Sequence, residues 1–176
     1  MNLQEEPFQA ICESLSTTLK TQITQLKNAI AGWPETKWLQ IDGNLPSVFF
    51  LQVSETSKNI VSRYDIHKTV INADGTGHIY TEQLRLFFLI QISLFTNTPQ
   101  DRASIGWLLK QYLVTNYRLP LSDGEYAVFT LKGDHESIKG ETNFYQRDLT
   151  FEVTARVLDA TSATKVTTLN DTITLD

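Results

Sequence analysis

Apolar residues at every second position make residues 84–95 the clearest segment of the chain. Leu84, Leu86, Phe88, Ile90, Ile92 and Leu94 take the even positions; Gln83, Arg85, Phe87, Leu89, Gln91 and Ser93 take the odd ones. Strand side chains alternate between faces, so the even set predicts a core face. The odd set predicts a half-polar face with an apolar pair, Phe87 and Leu89, at its middle. The strand is expected to run over 78–95. An extended segment, 60–73, and the turn Asp74-Gly75-Thr76-Gly77 precede it, which predicts a hairpin.

A helix is expected to follow over 101–113. Thr98 suits the cap, Pro99 the first helical position, and Asp101 the acidic place of a capping box; Asn116 ends it. Ile105, Leu108, Leu109, Tyr112 and Leu113 form its apolar face. Upstream, Phe8, Ile11, Cys12, Leu15, Leu19, Ile23, Leu26 and Ile30 recur at spacings of three and four. That stripe predicts one helix over 6–31, ended by Gly32 and Pro34. Residues 33–46 read as a connector, 46–53 as a short strand, and the polar run 54–59 as a turn or loop. After the turn 120–124, residues 126–131 read as a strand and the polar, glycine-bearing stretch 132–142 as a mobile loop. Residues 143–158 alternate cleanly. Tyr145, Leu149, Phe151, Val153, Ala155 and Val157 face one way, and Gln146, Asp148, Thr150, Glu152, Thr154 and Arg156 the other.

The fold expected from these elements is α+β: a single mixed or antiparallel sheet of about four to six strands packed by two helices. One domain spans 1–158, and the Thr-rich residues 159–176 form an arm or extra strand that covers an edge of its own sheet or a neighbour's.

Composition narrows the classes of function. The 176 residues are 41% hydrophobic and 20% charged, ordinary for a globular domain with a real core. A net charge of −5 argues against a broad surface gripping nucleic acid. Cys12 is the only cysteine and falls on the apolar stripe, as a small buried hydrophobe. The acidic start lacks signal-peptide order, and Arg85, Gln91 and Ser93 interrupt the most apolar run, so no membrane span is expected. These features suit a protein made in a cytoplasm or built into a particle there.

No catalytic constellation emerges. His67, His78 and His135 pair with no other ligand at metal-binding spacing. Asp134-His135-Glu136-Ser137 sets an acid, a base and a hydroxyl side by side, whereas a triad is assembled from separate segments. Gly75-Thr76-Gly77 lacks the rest of a dinucleotide fingerprint, and Asp42, Asp74 and Asp123 begin no calcium loop. No cofactor or metal is implied. Trp33, Trp38 and Trp107 have few basic neighbours, which favours packing or a protein interface over base stacking.

The order helix, strand, hairpin, long strand, helix, two strands resembles the tail terminator (tail completion) proteins of tailed bacteriophages. The segments carrying the resemblance are Pro46-Ser-Val-Phe-Phe-Leu51, Ile90-Gln-Ile-Ser-Leu-Phe95, Ala103-Ser-Ile-Gly-Trp-Leu-Leu-Lys-Gln-Tyr-Leu113 and Tyr145-Gln-Arg-Asp-Leu-Thr-Phe-Glu-Val-Thr-Ala-Arg156. They form a pattern of elements covering residues 8–158. The resemblance implies a virion protein forming a hexameric ring that caps the tail tube, ends its polymerisation and joins the head connector. Its partners would be further copies of itself, the tail tube protein, head–tail connector or stopper proteins and, in contractile tails, the sheath. DNA would pass through the lumen without specific binding, and an acidic balance suits a channel that repels phosphate. Under this reading Arg85, Phe87, Leu89, Gln91, Asp148 and Glu152 are the candidate interface or lumen residues. Two other readings stand beside it: another head–tail adaptor or stopper, and a small-ligand or peptide-binding α+β module with an apolar pocket.

Overall fold

Two strands of twenty residues each dominate the computed structural model, which describes residues 6–59, 66–73, 76–122, 124–139 and 144–163. In chain order the elements are α1 (Pro7–Gln22), β1 (Asn28–Ala31), the single turn α2 (Thr36–Leu39), β2 (Ser47–Asn59), β3 (Ile66–Ile71), β4 (Gly77–Thr96), α3 (Pro99–Thr115), β5 (Arg118–Pro120), β6 (Tyr126–Lys139) and β7 (Phe144–Ala163). The class is α+β, as the pattern predicts. The seven described strands form one mixed sheet in the order β1-β2-β4-β7-β6-β5, with β3 also paired to β4. Only the β1–β2 pair is parallel.

β4 and β7 pair antiparallel from Gly77↔Ala163 to Thr96↔Tyr145. Their alternation separates two faces. Leu86, Phe88, Ile90, Ile92 and Leu94 of β4 and Leu149, Phe151, Val153, Ala155 and Val157 of β7 are buried on the face that α1 and α3 cover. From α1 that core receives Ala10, Ile11, Cys12, Leu15 and Leu19, and from α3 Ile105, Leu109 and Leu113. Cys12 is buried as expected, and burial pushes its thiol pKa up to about 12.

α3 starts as the sequence predicts. The Asp101 amide donates to Thr98 Oγ1 at 3.0 Å, Pro99 opens the helix, and Asn116 caps its end. Leu108 departs from the expected apolar face and is exposed.

Three expectations are corrected. The first helix stops at Gln22 instead of reaching residue 31. β-Branched Thr21, Ile23 and Thr24 are weak helix formers. The Lys27 amide then bonds the Pro46 carbonyl, and Asn28–Ala31 joins the sheet beside Ser47–Phe50. Ile23 and Leu26 stay buried, so the apolar stripe was real while its helical continuation was not. Residues 54–59 are strand, not loop, paired with Leu84–Leu89 across a bulge at Val53. Residues 132–139 of the expected mobile loop likewise continue β6 against β7 across a bulge at Lys132. Both segments are polar because they are edge strands, and polar edges discourage indiscriminate pairing. β3 and β4 do pair as the expected hairpin; residues 60–65, 74–75, 140–143 and the arm beyond 163 lie outside the described residues, although β7 itself runs on to Ala163.

Replacing Thr98 with Ala removes the α3 cap and is expected to cost about 1 kcal/mol. Leu109→Ala, in the core under the same helix, is expected to cost about 2–5 kcal/mol. Urea unfolding of the two variants measures the difference.

Candidate functional site

The face of the sheet opposite α1 and α3 gathers all six residues singled out from the sequence. Register puts Leu89 opposite Glu152, Gln91 opposite Thr150, Ser93 opposite Asp148, Phe87 opposite Thr154 and Arg85 opposite Arg156. Opposed residues in an antiparallel pair share a face. Arg85, Phe87, Leu89, Gln91, Asp148 and Glu152 therefore form one continuous patch, and each is half-buried. The structure brings them together on one surface.

One end of this face is closed by the connector. Trp38, Leu39 and Leu45 pack with Phe49, Phe95 and Phe144. Phe49 and Phe95 meet edge-to-face at 5.8 Å, with Trp38 set against Phe49 at 5.3 Å and Trp33 against Phe95 at 5.7 Å. These are favourable aromatic geometries. Of the three tryptophans weighed for an interface, Trp38 belongs to this cluster, and Trp107 is 57% exposed on the outside of α3.

The other end of the face is charged. A bulge at Gln83 adds one residue to β4, so Glu82 falls opposite Leu158 and shares the face of Arg85. Glu82 accepts from Arg85 Nε at 2.7 Å and Nη2 at 2.9 Å, and Arg156 Nε lies 3.3 Å away. Like charges directly opposite each other across strands repel; Glu82 offsets that for Arg85 and Arg156. Hydrogen bonding from Arg85 holds the Glu82 carboxyl below its ordinary pKa against its partial burial, and the Arg85 guanidinium is raised in turn. Nearby, His67 Nε2 sits 3.1 Å from Glu125, which also accepts from Lys68 Nζ. Burial pushes Glu125 up, but the bonds and charges of Lys68 and His67 outweigh it and leave its pKa lowered. These contacts link β3 to the segment before β6.

A second ionic cluster lies on the helix face. Arg147 occupies an odd position of β7, in line with Leu149 and Phe151, and is buried. Its Nε and Nη2 donate to Asp134 at 2.9 and 2.8 Å. Lys110 Nζ donates to the same carboxylate at 2.8 Å, and Arg102 Nη2 lies 3.1 Å from Glu136. Arg102, Gly106 and Lys110 are spaced by four, which lines them up along α3. Gly106 sits directly over Arg147: an added Cβ would lie 2.6 Å from its Cδ. The hydrogen bonds from Arg147 and Lys110 pull the Asp134 pKa down to about 2.

This cluster resolves the Asp134-His135-Glu136-Ser137 run. Asp134 and Glu136 pair with Leu149 and Arg147 and face the helices; His135 and Ser137 pair with Asp148 and Gln146 and face away. Strand alternation thus sets the acids and the base on opposite sides of the sheet. Sequence reasoning missed Glu82 and Arg147, and weighed Asp134 only as the acid of a catalytic run. Arg147 carried a signal, being a lone cation in the apolar register of its strand. The bulge that turns Glu82 carried none. Among the described residues no group of three His, Cys, Asp or Glu side chains converges as a metal site, and no helix is long and apolar enough to cross a membrane.

Asp134→Asn is expected to destabilise the fold by about 1.5–3 kcal/mol at neutral pH, the scale of a hydrogen bond to a charged group. Because the Asp134 pKa is depressed in the folded state, its contribution is complete above the ordinary value near 4 and fades as pH falls through about 2. The gap in melting temperature between wild type and variant should close over that window. Gly106→Ala should lower the melting temperature, even though helix propensity alone favours alanine by about 1 kcal/mol, because the methyl displaces Arg147. No protein-family model matches this chain, and no curated protein sequence matches it either.

Proposed function

We propose that the protein is a ring-forming structural subunit of a phage tail neck, of the tail terminator kind. The observation that carries the self-association is a pair of unlike apolar surfaces at separate places. Trp107, Leu108 and Val114 stand exposed on the outside of α3, at 57%, 41% and 49%. Ile66, Val70 and Ile71 stand exposed on β3 at 58%, 43% and 73%. Exposed apolar patches of this kind mark interaction surfaces. Two patches that differ suit a heterologous, head-to-tail contact, which closes into a ring when the rotation per subunit closes.

The sheet margins support the same geometry. β1 covers β2 only along Ser47–Phe50, and β5 covers β6 only along Tyr126–Val128. The rest of both edges has no strand beside it among the described residues. β2 and β6 run antiparallel across the sheet, so side-by-side copies can add edge to edge with their open faces on one side. In such a ring the open face, with Arg85, Gln91, Asp148 and Glu152 around Phe87 and Leu89, lines the lumen or a subunit boundary. The likeness to tail terminators supplies the setting: a cap on the tail tube, joined to the head connector and passed by DNA.

Light scattering of the purified protein tests the ring, with a closed oligomer, six-fold under this reading, as the expected result. Trp107→Lys should keep the melting temperature and shift the protein toward monomer, since a central aromatic anchor is worth about 2 kcal/mol or more, roughly thirtyfold in association. A wild-type protein that stays monomeric at high concentration, alone and with tail tubes, overturns the proposal.

A further inference from the structure

The charged end of the open face holds a cleft of about 180 Å³ whose wall includes Arg85, Arg118, Arg156, Tyr126, Thr154 and Glu125. Register assembles it. Arg85 lies opposite Arg156 on β7, Thr154 lies opposite Val128 on β6, and Val128 lies opposite Arg118 on β5. Four strands thus bring three guanidinium groups around one hollow.

The charges there do not cancel. Among the described residues, Arg85, Arg118, Arg156 and Lys68 bring four positive charges against two negative ones, Glu82 and Glu125, within a chain whose net charge is −5. Glu82 occupies Nε and Nη2 of Arg85 and the Nε side of Arg156. Glu125 is held from the β3 side by Lys68 and His67. Arg118 has no carboxylate within ion-pair distance among the described residues, and its guanidinium rests 5.6 Å from the centre of the Tyr117 ring. A surplus of two positive charges in a concave site calls for a dianion. A planar carboxylate is satisfied by a single guanidinium fork, whereas a tetrahedral phosphate offers oxygens to donors on several sides.

We propose that this cleft binds a phosphate group, with Arg118 and Arg156 as the principal donors and the hydroxyls of Thr154 and Tyr126 beside them. Arg85 is oriented by Glu82 and contributes charge. The site does not depend on the ring reading, since it is complete within one chain. The phosphate has two possible sources, a free phosphate compound or the backbone of a nucleic acid, and the chemistry at the cleft is common to both.

Calorimetric titration with pyrophosphate tests the site, at low salt because exposed charges are screened over about 10 Å at 0.1 M. Saturable binding to one site per chain is expected. Arg118 is exposed, so Arg118→Gln should fold normally and weaken binding about tenfold or more, the loss of one charged hydrogen-bonding partner. Lys37→Gln, an exposed charge on α2, should leave binding unchanged. A short DNA duplex that competes with pyrophosphate, and loses affinity in Arg118→Gln, assigns the site to a nucleic-acid backbone. A duplex that fails to compete assigns it to a free phosphate compound. No saturable binding of either probe, or equal binding by wild type and Arg118→Gln, overturns the proposal.

Discussion

The antiparallel ladder between β4 and β7 is the constraint on which the rest of the molecule depends. Every other element takes its place from it. β2 and β3 line one side of β4, β6 lines the far side of β7, and α1 and α3 lie across one face only. Because side chains alternate along a strand, helices on one face require large apolar residues there and release the other face from that demand. Phe88, Ile90, Ile92, Phe151 and Val153 meet the demand. Their neighbours Arg85, Gln91, Thr150 and Glu152 are free to serve something else.

Charge is placed with the same economy on both faces. On the helix face, Arg147 would be a costly buried cation if left alone. Asp134 and Glu136 from β6 approach it from one side, and Gly106 makes room for it under α3. The ionic cluster thereby ties α3 to the polar, uncovered half of the edge strand β6. On the open face, Arg85 and Arg156 would repel if Glu82 kept the alternation of an unbroken strand. One extra residue at Gln83 turns Glu82 toward them. In each case a small backbone feature, a glycine or a bulge, makes a charged arrangement tolerable.

The margins of the sheet tell a consistent story about partners. The uncovered halves of β2 and β6, residues 54–59 and 132–139, are polar, and each follows a bulge, at Val53 and Lys132. Bulged, charged edges discourage random strand addition. Exposed apolar side chains also gather on α3, at Trp107, Leu108 and Val114, and on β3, at Ile66, Val70 and Ile71.

The sequence by itself determined the parts in which the two faces of an element differ. β4, the buried register of β7 and the capped start of α3 were all legible, because an apolar side against a polar side leaves a period of 2 or 3.6 that a chain displays without its partners. Tertiary structure decided the rest. Nothing local distinguishes a polar edge strand from a loop, since its regularity lies in backbone bonds to another strand; residues 54–59 and 132–139 read as loops for that reason. The weak helix formers Thr21, Ile23 and Thr24 were a local hint of the end of α1 at Gln22, but the apolar stripe masked it, because Ile23 and Leu26 serve the core whether the backbone is helical or extended. The partners of Arg147 lie 11 and 13 residues before it, the glycine that makes room for it lies on a separate helix, and the bulge that turns Glu82 leaves no mark in composition. Contacts between distant segments carry that information, and it exists only once the sheet has formed.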